Sequence, residues 1–160
     1  MEELKYVNTK VVFQEVPDEI SLAINISGCP IHCPDCHSKF LWENVGTILD
    51  IKSLYQEIKK QKGITCVCFM GGDRREEQIL YLASYIKEVF PKLKISWYLG
   101  RETLDICLNY KNIDYIKLGP YNKEFGGLDN PKTNQKMFYF KHINNGFILI
   151  KDITYKFKKS

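Results

Sequence analysis

No apolar run in this 160-residue chain approaches the roughly 18 residues needed to span a bilayer. The stretch Met1–Lys10 has neither the apolar segment nor the cleavage site of a secretory signal. Charge of one sign is also scarce. Lys plus Arg is 23 and Asp plus Glu is 19, and the net +4 is spread too evenly to argue for a nucleic-acid surface. There is no internal repeat. These absences predict a cytoplasmic protein that binds neither membrane nor nucleic acid. At 44% hydrophobic the composition supports a sizeable core and excludes wholesale disorder. The length fits one domain, 1–160, whose C-terminal part over about 136–160 differs in pattern and reads as a hairpin and tail.

Cysteine, by contrast, is present six times. In a reducing compartment that usage points to metal or redox chemistry and away from a disulfide framework. Cys66, Cys68 and Cys107 sit in apolar surroundings at spacings unlike ligands and read as small buried hydrophobes. Cys29, Cys33 and Cys36 fall within eight residues of one another.

Hydrophobic periodicity places that cluster. Val11–Phe13 and Ile20–Ile26 read as two short strands around a Pro17-Asp18 turn. Asp50 is the expected N-cap of a helix over about 51–61, whose Ile51, Leu54, Tyr55 and Ile58 follow i, i+3, i+4, i+7. Ile64–Met70 is continuously apolar, as in a strand buried on both faces of a parallel sheet. A second helix is expected over about 75–90, a strand at Lys94–Leu99, a short helix over about 102–109 and a strand at Ile113–Leu118. Met137–His142 and Phe147–Phe157 flank Asn144-Asn145-Gly146, a hairpin pattern. The βα alternation predicts an α/β fold with parallel strands. A closed eight-fold barrel typically needs about 250 residues, so the expectation is an open partial (β/α) barrel or a small doubly wound sheet, ending in a short C-terminal β-hairpin.

The cysteine loop Cys29-Pro-Ile-His-Cys33-Pro-Asp-Cys36-His37 admits four chemistries. Cys33–His37 fits haem attachment, and Cys33 with Cys36 fits a redox dithiol, but both leave Cys29 idle. Three thiolates plus His32, His37 or His142 fit a zinc site, which would make the chain a non-catalytic interaction module. Three thiolates also fit three irons of a [4Fe–4S] cube, leaving the fourth iron open to a small molecule. The loop follows a strand, at the carboxyl edge of a parallel sheet, where α/β folds bind ligands.

Cys29-x₃-Cys33-x₂-Cys36 after a strand resembles the radical S-adenosylmethionine (SAM) enzymes. The run Ser27-Gly28-Cys29 through Trp42 is similar to the small glycyl-radical-enzyme activases. Met70-Gly71-Gly72-Asp73 is similar to the family's Gly-Gly-Asp/Glu segment, and the stretch Gly119-Pro120-Tyr121 through Asn134-Gln135 resembles the branch that activates anaerobic ribonucleoside-triphosphate reductase. The resemblance covers about residues 10–140 and implies a radical SAM domain. It implies that Cys29, Cys33 and Cys36 ligate the cluster as the catalytic centre. Asp35, Cys36, His37, Gly71, Gly72 and Asp73 would lie against SAM. Reductive cleavage of SAM would give a 5′-deoxyadenosyl radical that takes a Cα hydrogen from a glycine. The implied partners are the large reductase subunit and a reduced flavodoxin or ferredoxin-type electron donor. Tyr121–Gln135 would form part of the docking surface. Activation of another glycyl-radical enzyme, such as pyruvate formate-lyase, is the alternative within the family. Asp35 stands where many superfamily members carry an aromatic residue, which removes stacking on the adenine from that position.

Overall fold

Two opposite alternations are written into the central strands, and they decide how the sheet is covered. Leu22, Ile24, Val67, Phe69, Ile95, Trp97 and Ile116 point to one face; Ser21, Ala23, Cys66, Cys68, Ser96 and Tyr115 point to the other. The structure, a computed structural model, describes residues 3–28, 45–105, 108–143 and 148–157. Its strands are β1 (Lys5–Val12), β2 (Ser21–Ile26), β3 (Thr47–Ile48), β4 (Cys66–Met70), β5 (Lys94–Tyr98), β6 (Tyr115–Leu118), β7 (Lys136–His142) and β8 (Ile148–Asp152). The helices α1 (Ile51–Lys59) and α2 (Glu76–Val89) follow β3 and β4. The spatial order is β3-β1-β2-β4-β5-β6-β7-β8. Strands β2, β4, β5 and β6 run parallel, flanked by antiparallel pairs on both sides.

The apolar face packs under both helices. Leu54 and Ile58 of α1, and Ile79, Leu82, Ala83 and Ile86 of α2, close over Phe69, Trp97 and the strand aliphatics. Each fully buried large side chain there stabilises the fold by roughly 1.5–3 kcal/mol. Helix α1 begins where Asp50 dictates. Its Oδ1 accepts the Ser53 amide at 2.9 Å, and Ser53 Oγ accepts the Asp50 amide at 3.0 Å, a reciprocal capping box.

The opposite, inner face is built from smaller and more polar groups. Val16, Leu128, Met137 and Ile153 cover Cys66, Cys68 and Tyr115. The Ser21 and Ser96 hydroxyls are buried there without a partner of ordinary hydrogen-bond geometry; each faces a thiol on the adjacent strand.

Local readings fare unevenly. The first strand starts earlier than its apolar run, at Lys5, because β1 pairs along β2 and also carries β3 on its far side. The helix expected over about 102–109 is not formed among the described residues. The Tyr110 hydroxyl accepts the Asp105 amide at 3.1 Å, a donor that a helix would have used, and just past the segment Asn109 Oδ1 accepts the Lys111 amide at 2.9 Å in a local turn. The last strand ends at Asp152, and Thr154–Phe157 is a 3₁₀ turn. The Asn144-Asn145-Gly146 turn lies outside the described residues. Among the described residues, no helix is long and apolar enough to cross a membrane.

Candidate metal centre

The carboxyl ends of the four parallel strands form one row: Ser27-Gly28 after β2, Gly71-Gly72-Asp73 after β4, Leu99-Gly100-Arg101 after β5 and Gly119-Pro120 after β6. Residues 29–44, which contain Cys29, Cys33, Asp35, Cys36 and His37, lie outside the described residues, as does Cys107. The two ends of that segment are described, and Ser27 holds them together. Its hydroxyl, 4% exposed with its residue, donates to the Val45 carbonyl at 2.6 Å and accepts the Val45 amide at 3.1 Å. The Ser27 amide donates to Lys5 O at 2.9 Å. The chain thus leaves β2 and returns to it at one place on the carboxyl edge.

Beside this clamp, Gly71 and Gly72 have φ of +113° and +87°, a backbone that L side chains rarely adopt. Space for a side chain is tight as well. A Cβ on Gly71 would sit 3.1 Å from Ile26 O, and one on Gly72 would sit 2.7 Å from Ile79 Cγ1. The Gly71 amide donates to Tyr98 O at 3.1 Å, and the Gly71 carbonyl accepts Trp97 Nε1 at 2.7 Å. The glycines therefore let β4 turn hard against both neighbouring strands.

Asp73 opens the 3₁₀ turn Asp73–Arg75 and does not cap α2, whose N-cap position is Arg75. Its Oδ2 accepts the Gly100 amide at 3.0 Å, tying the end of β4 to that of β5. Burial pushes the Asp73 carboxyl above the ordinary aspartate value, against the opposing pull of the Gly100 amide and the Lys117 ammonium.

Lys117 carries no recognisable motif, and sequence reading passes over it. In the fold it is 8% exposed, and its Nζ donates to Leu99 O at 3.1 Å and Gly119 O at 3.0 Å, with the Tyr98 ring centroid 5.4 Å away. Gln135 is buried against the same edge, donating from Nε2 to Gly119 O at 3.2 Å. Ser27 and Trp97 were visible only as part of a motif and of an apolar strand. Their polar contacts join residues 18 and 26 positions apart, beyond any local pattern. On the inner side, Glu15, Pro17, Tyr98, Leu128, Asp129 and Phe157 line an open cleft of about 760 Å³, and the Tyr98 hydroxyl donates to Glu15 O.

A family model, the 4Fe-4S single cluster domain, matches residues 20–124. The chain belongs to this 4Fe-4S single cluster family. The match runs from just before β2 to just after β6. It takes in all four parallel strands and the cysteine loop, and leaves out β1 and the β7–β8 hairpin. No curated protein and no solved structure gives a significant match.

The donor chemistry suits the cluster domain. Three thiols in one loop fit three irons of a cube. Cys66 and Cys68 fit nothing of the kind. Both are wholly buried on β4, and burial raises the thiol of Cys66 well above its ordinary value and that of Cys68 to about 12, disfavouring the thiolate that iron requires. Among the described residues no three His, Cys, Asp or Glu side chains gather as a metal site.

Proposed function

We propose that this cluster-domain protein is a radical SAM activase acting on an anaerobic ribonucleoside-triphosphate reductase, with its parallel strands forming an open partial (β/α) barrel. When bound and reduced, the cluster supplies one-electron cleavage of SAM, the chemistry needed to remove a hydrogen atom from a glycine of a protein partner. The chain does the rest. Cys29, Cys33 and Cys36 would hold the cluster, their three thiolates leaving one iron free for SAM. Ser27 fixes both ends of their loop. Gly71 and Gly72 bring bare backbone to the ligand, and the Asp73 carboxylate stands by to meet the SAM ammonium. Asp35, Cys36 and His37 would meet the same ligand. Tyr121–Gln135, which carries the half-exposed Phe125, meets the reductase, and electrons arrive from a flavodoxin or ferredoxin-type donor.

The observation that carries this reading is the match of a single-cluster domain over the parallel strands, in a chain whose three clustered cysteines follow the first of them. The test is anaerobic reconstitution with iron and sulfide, reduction, and electron paramagnetic resonance with and without SAM. A [4Fe–4S]⁺ signal that changes shape on adding SAM is expected. A signal indifferent to SAM would refute the enzyme reading while leaving the cluster. Incubation of the reduced protein with SAM and purified reductase should then yield an organic radical on the reductase. A radical on pyruvate formate-lyase instead would reassign the partner.

A further inference from the structure

The two edges of the sheet are finished differently. On one side β3 is only two residues long, a short edge of the kind that blocks unwanted pairing. On the other, β8 offers five residues with no proline, and Leu149–Asp152 are all exposed. Leu149 is 48% and Ile150 51% exposed, large values for aliphatic side chains in a strand. The described residues after β8 do not shield this edge. Ile153 N donates to Met137 O at 2.8 Å and Thr154 Oγ1 accepts the Met137 amide at 2.9 Å, so the 3₁₀ turn folds inward over the sheet face. No described element lies outside β8.

The two faces of this edge differ in chemistry. Ile150 lies beside Phe140, and Ile148 beside His142, on the helix-side face. Leu149 lies beside Lys141, and Lys151 beside Tyr139, on the inner face. Asp152 lies on the helix-side face with its carboxylate 3.9 Å from Lys136 Nζ, which leaves the inner face of the edge cationic. An incoming strand with apolar side chains over Ile148 and Ile150 and acidic ones toward Lys141 and Lys151 would complement both faces at once.

We infer that β8 is a strand-addition site for an extended segment of a partner protein that alternates acidic and apolar side chains. Backbone pairing supplies affinity, and the lysines set the sign of charge accepted. The site lies at the edge strand, outside the residues matched by the cluster-domain family. It does not depend on the activase reading.

The probe is a capped eight-residue peptide of alternating Glu and Val, compared with alternating Lys and Val, added to the reconstituted full chain. The acidic peptide should bind roughly tenfold tighter, as two partly exposed ion pairs would supply. Its binding should slow amide hydrogen exchange in β8 and weaken with salt. In the exposed double variant Lys141→Glu/Lys151→Glu the preference should reverse, while Ile150→Lys should abolish binding of both peptides. Equal binding of the two peptides, protection elsewhere than β8, or no binding would overturn the proposal. Concentration-dependent self-association that Ile150→Lys abolishes would overturn it in favour of a second copy of the chain.

Discussion

Gly72→Ala isolates how tightly the crevice is built. The substitution forces an alanine into φ +87° and puts its Cβ 2.7 and 2.8 Å from Ile79 Cγ1 and Cδ1 in the core under α2. The left-handed backbone costs about 1–2 kcal/mol for a residue with a side chain. Overpacking a filled site adds about 1–3 kcal/mol. The loss should therefore be roughly 2–5 kcal/mol, a fall in melting temperature on the order of 5–15 °C for a chain of this size. Gly63 supplies the control. Its φ is +81°, but a Cβ there meets nothing within 4 Å, so Gly63→Ala should cost only the backbone share. The entropy gained by stiffening the unfolded chain is common to both and cancels in the comparison. Urea unfolding under anaerobic conditions measures each loss. A cycle with Ile79→Ala should show the two changes at the crevice to be non-additive, the second removing the clash made by the first. Equal losses at Gly63 and Gly72, or additive behaviour with Ile79, would refute the steric argument.

Three other expectations rest on separate contacts. Ser27→Ala removes the hydroxyl that holds both polar groups of Val45 and should cost about 1–3 kcal/mol, with faster loss of iron to a chelator; unchanged chelation would detach the clamp from the metal centre. Cys66 and Cys68 should resist alkylation in the folded protein and react only in denaturant, since burial raises Cys68 to about 12 and Cys66 well above its ordinary value; native labelling of either, read by mass spectrometry, would contradict their placement. The raised Asp73 carboxyl means the folded chain holds that proton more tightly than the unfolded one, so its ionisation erodes stability as pH rises from the ordinary aspartate value through the raised one; Asp73→Asn should flatten that part of the stability–pH curve, and an unchanged slope would show the carboxyl to be unperturbed.

Much of the parallel core is legible in the chain itself. The apolar run at Cys66–Met70 is a strand buried on both faces for most of its length, and Asp50 starts α1, because periodicity and capping act over a few residues. The x₃ and x₂ cysteine spacing is likewise read within one short stretch of sequence. The failures are also local in origin. Residues 102–109 have helical spacing, yet the Tyr110 hydroxyl takes over the Asp105 backbone donor.

The sequence alone determined the run of parallel strands β2, β4, β5 and β6, the helices α1 and α2 between the first three of them, and the capping of α1 by Asp50. Only the tertiary structure decided that Ser27 joins two points 18 residues apart, that Lys117 is buried between the ends of β5 and β6, that Trp97 holds the Gly71 carbonyl, and that β8 is left as an open edge. Each of these depends on which strands become neighbours, and neighbours in a parallel sheet are set by crossovers through helices, a relation between distant residues that no local pattern encodes.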